Sequence, residues 1–295
     1  MLSQTKQGPV YLKAIPRSGG TLFVTMLDAH PSIAMSYEIY EANLFADSGE
    51  ELNAVDAIRL LEAHRCSDDT QWIRGLPESN FRTFLFRARR AGLSVSEILN
   101  ELIAFVEKGG DFVDGPGRLD FIESLMCRKA LNTNKGVWGG KTQADLYQLH
   151  DRNPNAAFFI MVRDIRDVFA SMSSKGSFRY TAKDAAELWK TRILEFREFV
   201  SRRSPRAMEI RYEHLASEPE TLLGDVCQLL GVDYSSEMLR FHEKEMTIFK
   251  NPHGHLSNEQ IQKGLNIHSI GRWRNDLLDP DLRVIESIAG DLLDE

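Results

Sequence analysis

An apolar run, a glycine-bearing turn and a helix start follow one another near the amino end, and no other stretch restricts the fold as much. Val10, Tyr11, Leu12, Ala14 and Ile15 read as a buried strand. Pro16-Arg17-Ser18-Gly19-Gly20-Thr21 interrupts it, and Leu22–Leu27 reads as the first turns of a helix. Strand, turn and helix N-terminus together make an anion site. The glycines permit positive φ and close backbone approach, and the first-turn N–H groups and the helix dipole face the bound group. Arg17 adds fixed charge, and Ser18 and Thr21 add hydroxyl donors.

The loop is not that of the nucleoside triphosphatases. Their Gly-x-x-x-x-Gly-Lys-Ser/Thr pattern needs a lysine before the hydroxyl residue, and here Gly20 precedes Thr21. A phosphate or sulfate ligand without an obligatory metal suits it better. An ordinary βα turn is the competing reading of the local pattern.

The remainder alternates in the same manner. Gly136–Gly140 leads into Lys141-Thr142, and a helix is expected through Leu149 and His150. Asn155–Val162 is a continuous apolar strand bounded by Pro154 and Arg163, followed by a helix from Arg166 to Met172. Ala185, Leu188, Trp189, Ile193, Phe196, Phe199 and Val200 mark a long amphipathic helix whose aromatic residues read as core. Ala207–Tyr212 is a further strand. Pro219–Leu230 is a helix stopped by Gly231, and Asp279-Pro280 opens the last one, with Asp as cap and Pro at the first position. Strands alternating with helices predict an α/β fold, a P-loop-like, mostly parallel central sheet flanked by helices. Ligands of such sheets sit beyond the strands' carboxyl ends, where Arg17, Lys141, Arg163 and Tyr212 all fall.

Between the first strands lies a helix-rich insertion, about residues 42–135, that reads as a lid recognising an acceptor. Its Arg82, Arg87, Arg89 and Arg90 read first as a solvated face, with a recognition surface for an acidic acceptor as the alternative. Cys66, Cys127 and Cys227 are too scattered for a disulfide framework or a zinc site, and His253-Gly254-His255 lacks a third metal ligand. There is no apolar stretch of membrane-spanning length and no signal-peptide core, so a cytoplasmic protein without a membrane partner is the expectation. The net charge of −7 speaks against a nucleic-acid partner and leaves room for a local basic pocket.

A second anion motif is Arg163-Asp164-Ile165-Arg166-Asp167-Val168-Phe169-Ala170-Ser171-Met172. Arg163 at a strand end and Ser171 on the following helix can grip one phosphate, although such a sequence taken alone is more often an exposed ion-pair cluster. The two motifs in this order resemble the sulfotransferases that use 3′-phosphoadenosine 5′-phosphosulfate, most of all the tyrosylprotein branch and its bacterial relatives. The resemblance covers the first forty residues and about residues 136–276; the insertion matches nothing in it.

The resemblance implies a single sulfotransferase domain over residues 1–295, with 3′-phosphoadenosine 5′-phosphosulfate as co-substrate and no metal. Arg17, Ser18, Gly19, Gly20 and Thr21 match the 5′-phosphosulfate loop, with Gly20 standing where threonine is common. Arg163 and Ser171 match the 3′-phosphate pair, and Tyr212, Lys263, Asn266 and Arg272 match nucleotide contacts. Glu38 falls at the general base, Lys141 at the lysine that stabilises the transferring group, and Ser257 in a segment closing over the cofactor. Taken alone these residues have plainer readings: Glu38 beside Glu41 is a solvated acidic pair, Lys141 a surface lysine, Tyr212 a sheet anchor, and Ser257 and Lys263 loop residues. The implied reaction moves a sulfuryl group in line to an acceptor hydroxyl of a small alcohol, phenol or sugar, with peptide tyrosine also open. The rivals are a nucleotide kinase or phosphotransferase on the same sheet, and a nucleotide-binding protein without chemistry.

Overall fold

In a computed structural model, residues 9–40, 52–111, 115–175, 180–244 and 261–293 are described. Five parallel strands form one sheet in the order β2-β3-β1-β4-β5, comprising β1 (Val10–Ala14), β2 (Ile33–Ser36), β3 (Val137–Lys141), β4 (Ala157–Val162) and β5 (Arg206–Arg211). β2 is a strand the sequence reading did not assign; it has only four residues and follows the turn at His30-Pro31-Ser32. The central strand β4 reads as an unbroken apolar run because both its faces are covered. Alternate residues serve two cores. Val10, Leu12, Phe159 and Met161 face one, and Tyr11, Phe158, Ile160 and Val162 face the other.

Helix α1 (Gly20–Ala29) leaves β1 for the first core, burying Phe23, Val24, Met26 and Leu27. The insertion packs on that same face. It consists of α2 (Ala54–Ala63), α3 (Asp69–Gly75), α4 (Asn80–Arg90), α5 (Val95–Glu107) and α6 (Gly115–Asn132), so its helical reading holds, and it falls between β2 and β3. Helix α7 (Leu146–Arg152) lies on the other face, as do α8 (Ile165–Lys175) and α9 (Ala182–Arg203), where Trp189, Phe196 and Phe199 are core as expected. Helix α10 (Tyr212–Ser217) begins directly at the end of β5, so Tyr212 is a first helical residue and not a strand residue. Helix α11 (Pro219–Leu230) has Pro at its start and Gly231 at φ 69° after its end. The last helix, Asp279–Leu293, packs on α9 and takes Leu278, not Asp279, as the acceptor before its first turn.

Because α1 and α8 depart from neighbouring strands to opposite faces, the segments beyond the carboxyl ends of β1 and β4 diverge, and a crevice opens between them. His30 belongs to the turn after α1, where its ring contacts the Asp233 carbonyl (2.8 Å) and accepts from the Ser32 N–H (2.9 Å). All three cysteines are free. Among the described residues, no helix is long and apolar enough to cross a membrane, and no cluster of metal-ligating side chains occurs. His253 and His255 lie outside the described residues.

Candidate active site

A cavity of about 540 Å³ fills the crevice, and its walls come from residues as distant in sequence as Ala14 and Arg272. Among the described residues, six cationic side chains and a single carboxylate line it: Arg17, Arg87, Arg90, Lys141, Arg163 and Arg272 against Glu38. In a chain with net charge −7 this concentration of cations marks a site for a polyanion.

The first wall is the turn after β1. Gly19 takes φ 98°, and a Cβ there would stand 2.6 Å from the Tyr212 ring, so a side chain is excluded twice over. At Gly20 the obstacle is Ala14, whose Cβ would be 2.4 Å away. The threonine that the resemblance leads one to expect has no room beside Ala14. The N-terminus of α1 is left without a side-chain cap, whereas α2, α3, α4, α5, α7 and α9 close their first turns with Asn, Asp, Ser or Thr. Gly20, Thr21 and Leu22 line the cavity, so the open first turn of α1 borders it. Ser18 departs from expectation. Its hydroxyl (2.8 Å) and its N–H (3.2 Å) both donate to the Ile15 carbonyl, and it is fully buried outside the lining. The Ile15 carbonyl just beyond β1 needs a partner, and Ser18 supplies it.

The second wall joins the two anion motifs. Arg17 stands at φ 70°, a conformation non-glycine residues rarely hold, and its Nε donates to the Ser171 hydroxyl at 3.0 Å. Arg163 Nη1 donates to the Arg17 carbonyl (3.3 Å), its Nη2 donates to the Ser269 carbonyl, and its guanidinium lies 4.5 Å from the Tyr212 ring centre. Its Nε is buried and has no hydrogen-bond partner among the described residues. Burial, together with the neighbouring Arg163 and Arg272 charges, pulls the Arg17 pKa below the usual guanidinium range. Three mutually repelling guanidiniums held together favour an anion between them.

The Arg163–Asp167 stretch satisfies both readings at once. Asp164 and Arg166 form a forked pair (2.8–3.2 Å), each about one-fifth exposed, which is the surface cluster. Arg163 and Asp167 are buried, and Asp167 accepts from the N–H groups of Gly271 (2.8 Å) and Trp273 (3.0 Å). Asp167 thereby fastens the late segment over the crevice, and Tyr212 helps by donating to the Asn266 carbonyl at 3.1 Å. Asn266 and Arg272 line the cavity, although the Asn266 side chain accepts from the His268 N–H and Arg272 pairs with Asp276 at 2.6 Å. Lys263 is exposed and outside the lining, which does not place it on the nucleotide. Ser257 lies outside the described residues.

At the opposite end Lys141, the last residue of β3, donates to Glu38 Oε1 at 3.0 Å. Its Cε is 3.7 Å from where a Gly20 Cβ would lie, so the lysine stands between the anion loop and the carboxylate. Burial works to lower its pKa, but the Glu38 carboxylate and Tyr40 outweigh that and raise it above the ordinary lysine value. Glu38 itself is held at φ 41°. A second cation reaches it, with Arg90 Nη2 at 4.0 Å from Oε2, and Arg87 lies 5.7 Å from the Tyr40 ring centre.

The insertion's arginines are thus not one solvated face. Arg82 and Arg89 pair outward with Glu78 and Asp69, while Arg87 and Arg90 turn into the cavity. Their spacing of three on one helix puts them on the same side, a signal already present in the sequence. Tyr40 and Gln143, also in the lining, were not singled out from sequence.

Comparison with known proteins agrees with this geometry. Residues 9–236 match the model of the sulfotransferase family, more than half of the chain. A protein-tyrosine sulfotransferase of Drosophila melanogaster is 24% identical over 95% of this chain, which spans only half the length of that relative. A putative protein-tyrosine sulfotransferase of Caenorhabditis briggsae is 24% identical over 98% of this chain and 88% of its own length. Among solved structures, the sulfotransferase domain of the Synechococcus PCC 7002 olefin synthase shares the fold with a TM-score of 0.59 at 17% identity, covering 97% of this chain and 96% of that one. The sulfotransferase domain of the curacin biosynthetic pathway gives 0.57 at 16% identity, covering 97% of both chains. Motifs, cavity and family match converge, and the chain belongs to the sulfotransferase family.

Proposed function

We propose that the cavity binds 3′-phosphoadenosine 5′-phosphosulfate and delivers its sulfuryl group to an acceptor hydroxyl beside Glu38. The observation that carries this reading is that one cavity joins the Arg17 loop and Arg163 at one end to the Lys141–Glu38 pair at the other. The open N-terminus of α1 and Arg17 suit the 5′-phosphosulfate, and Arg163 with Ser171 suits the 3′-phosphate. The acceptor oxygen attacks sulfur, forming an O–S bond as the bond to the 5′-phosphate oxygen breaks. Lys141 stabilises the charge growing on that leaving oxygen, and the acceptor proton passes to Glu38. Burial and the Lys141 contact keep the carboxylate in reach of the sulfur without a long search of rotamers.

The acceptor reading follows from Arg87 and Arg90. Two guanidiniums beside the base suit a hydroxyl with a negatively charged group close by, the class that contains carboxylated phenols and tyrosines in acidic peptides. The names of the relatives, protein-tyrosine sulfotransferases, support the peptide member of that class. Incubation with 35S-labelled donor and a panel of neutral and carboxylated phenols, sugars and tyrosine peptides tests the reading. Label should reach a hydroxyl in the presence of EDTA, and Glu38→Gln should lower turnover about a hundredfold while nucleotide affinity stays within a few-fold. Magnesium-dependent binding of ATP with no sulfuryl transfer would return the phosphotransferase rival.

A further inference from the structure

Glu38 emerges from the edge strand of the sheet, and that edge is finished in an unusual way. Val137 N–H donates to the Ser32 carbonyl at 2.9 Å, so by strand alternation the backbone groups of Ile33 and Met35 point away from β3. Edge groups of this kind are ordinarily left to water or to another strand. Here both residues are fully buried. The Met35 N–H donates to Asp28 Oδ1 (2.8 Å), and Lys129 Nζ donates to the Met35 carbonyl and to Asp28 Oδ2 (2.8 Å). Lys135 Nζ donates to the Ile33 carbonyl at 3.0 Å and to the Asp28 carbonyl. Side chains from α1 and α6, with Lys135 just beyond α6, stand in for a sixth strand.

Lys129 is only 5% exposed, and its ammonium also lies 5.3 Å from the centre of the buried Tyr37 ring. Tyr37 and Ile39, both buried, flank Glu38. A buried ion pair is weak as a source of net stability, since an apolar replacement of equal volume often does as well. It is well suited to fixing one register and one direction of exit, and a residue held at φ 41° needs its surroundings to dictate the conformation. We propose that Asp28 and Lys129 are positioning residues for the Glu38 carboxylate: by replacing the missing strand they set where β2 ends and aim the base at Lys141. The proposal rests on the reading of Glu38 as the base.

The test compares Glu38→Gln, Lys129→Met and the double variant in full-length protein. Turnover is read as hydrolysis of saturating 35S-labelled 3′-phosphoadenosine 5′-phosphosulfate, for which water is the acceptor, and affinity for 3′-phosphoadenosine 5′-phosphate is read by calorimetry. Lys129→Met should lower kcat at least tenfold per nucleotide-binding site and leave the nucleotide Kd within about twofold. The double variant should be no slower than Glu38→Gln alone, because both changes act through one carboxylate. Unchanged kcat in Lys129→Met, or losses that multiply in the double variant, overturn the positioning role. Unchanged kcat in Glu38→Gln instead brings down the base reading itself. Where Lys129→Met does not fold, the near-isosteric Asp28→Asn carries the same comparison.

Discussion

Arg163 offers the sharpest test of how the donor is held. Two of its five N–H groups go to the Arg17 and Ser269 carbonyls, and its Nε–H is buried without a partner among the described residues. Nη2 also faces the Asp167 carboxylate at 3.7 Å, so the remaining Nη hydrogens are the donors a 3′-phosphate would take. A charge-assisted hydrogen bond contributes about 1.5–3 kcal/mol. The contact should therefore be worth about 2–3 kcal/mol, a preference of roughly 30- to 150-fold for 3′-phosphoadenosine 5′-phosphate over adenosine 5′-phosphate. Arg163→Met keeps the stem against Tyr212 and removes the guanidinium. It also frees the two carbonyls and removes the Arg163–Asp167 pair (3.7 Å), leaving Asp167, among the described residues, its Gly271 and Trp273 donors. Those losses weaken both nucleotides alike and cancel in the ratio of their dissociation constants, so calorimetry with each nucleotide on both proteins isolates the phosphate contact. The ratio should collapse to within a few-fold of one. A ratio preserved in Arg163→Met, however much both affinities fall, refutes the assignment.

Three further outcomes follow from the geometry. Gly20→Ala forces a methyl into Ala14 and should destabilise the loop by about 1–3 kcal/mol in chemical denaturation; Ala14→Gly should restore it, and failure of that rescue would show that the clash lies elsewhere. Arg87→Ala should raise KM at least tenfold for carboxylated acceptors while sparing neutral ones, and equal effects on both would remove Arg87 from acceptor recognition. Lys141, its pKa raised because Glu38 and Tyr40 outweigh burial, should contribute its full stabilisation at every pH below the ordinary lysine value of about 10.4 and lose it only above. The difference in thermal midpoint between wild type and Lys141→Met should then be flat from pH 7 to 9, and a gap narrowing in that window contradicts the pairing.

Much of the scaffold was legible because its signals are local. Pro219 and Gly231 bracket α11 by their backbone preferences alone, and the run from Ala157 to Val162 is apolar because both faces of the sheet are covered. β2 carries too little pattern in four residues, and the partners of its outer edge, Asp28, Lys129 and Lys135, are far away or out of period. The anion loop was visible in Arg17 and Gly19, yet the inward turn of Ser18 is decided by the Ile15 carbonyl, a demand the sequence does not display. The arginines of α4 were read as solvated because nothing in an isolated amphipathic helix tells which neighbour its polar side will meet. Tertiary placement beside Glu38 settled that for Arg87 and Arg90.

The late segment that Asp167 fastens over the crevice has a consequence for biosynthesis. Asn266, Ser269 and Arg272 come late in the chain relative to Arg17, yet they complete a wall whose opposite side is the Arg17 turn. Until the segment around Arg272 has been synthesised, a nascent chain holds the Arg17 and Arg163 guanidiniums with no finished chamber around them. Nucleotide in the surrounding fluid can reward the chain only once that segment has emerged, so ligand rescue of damaged variants should begin only after synthesis has passed Arg272.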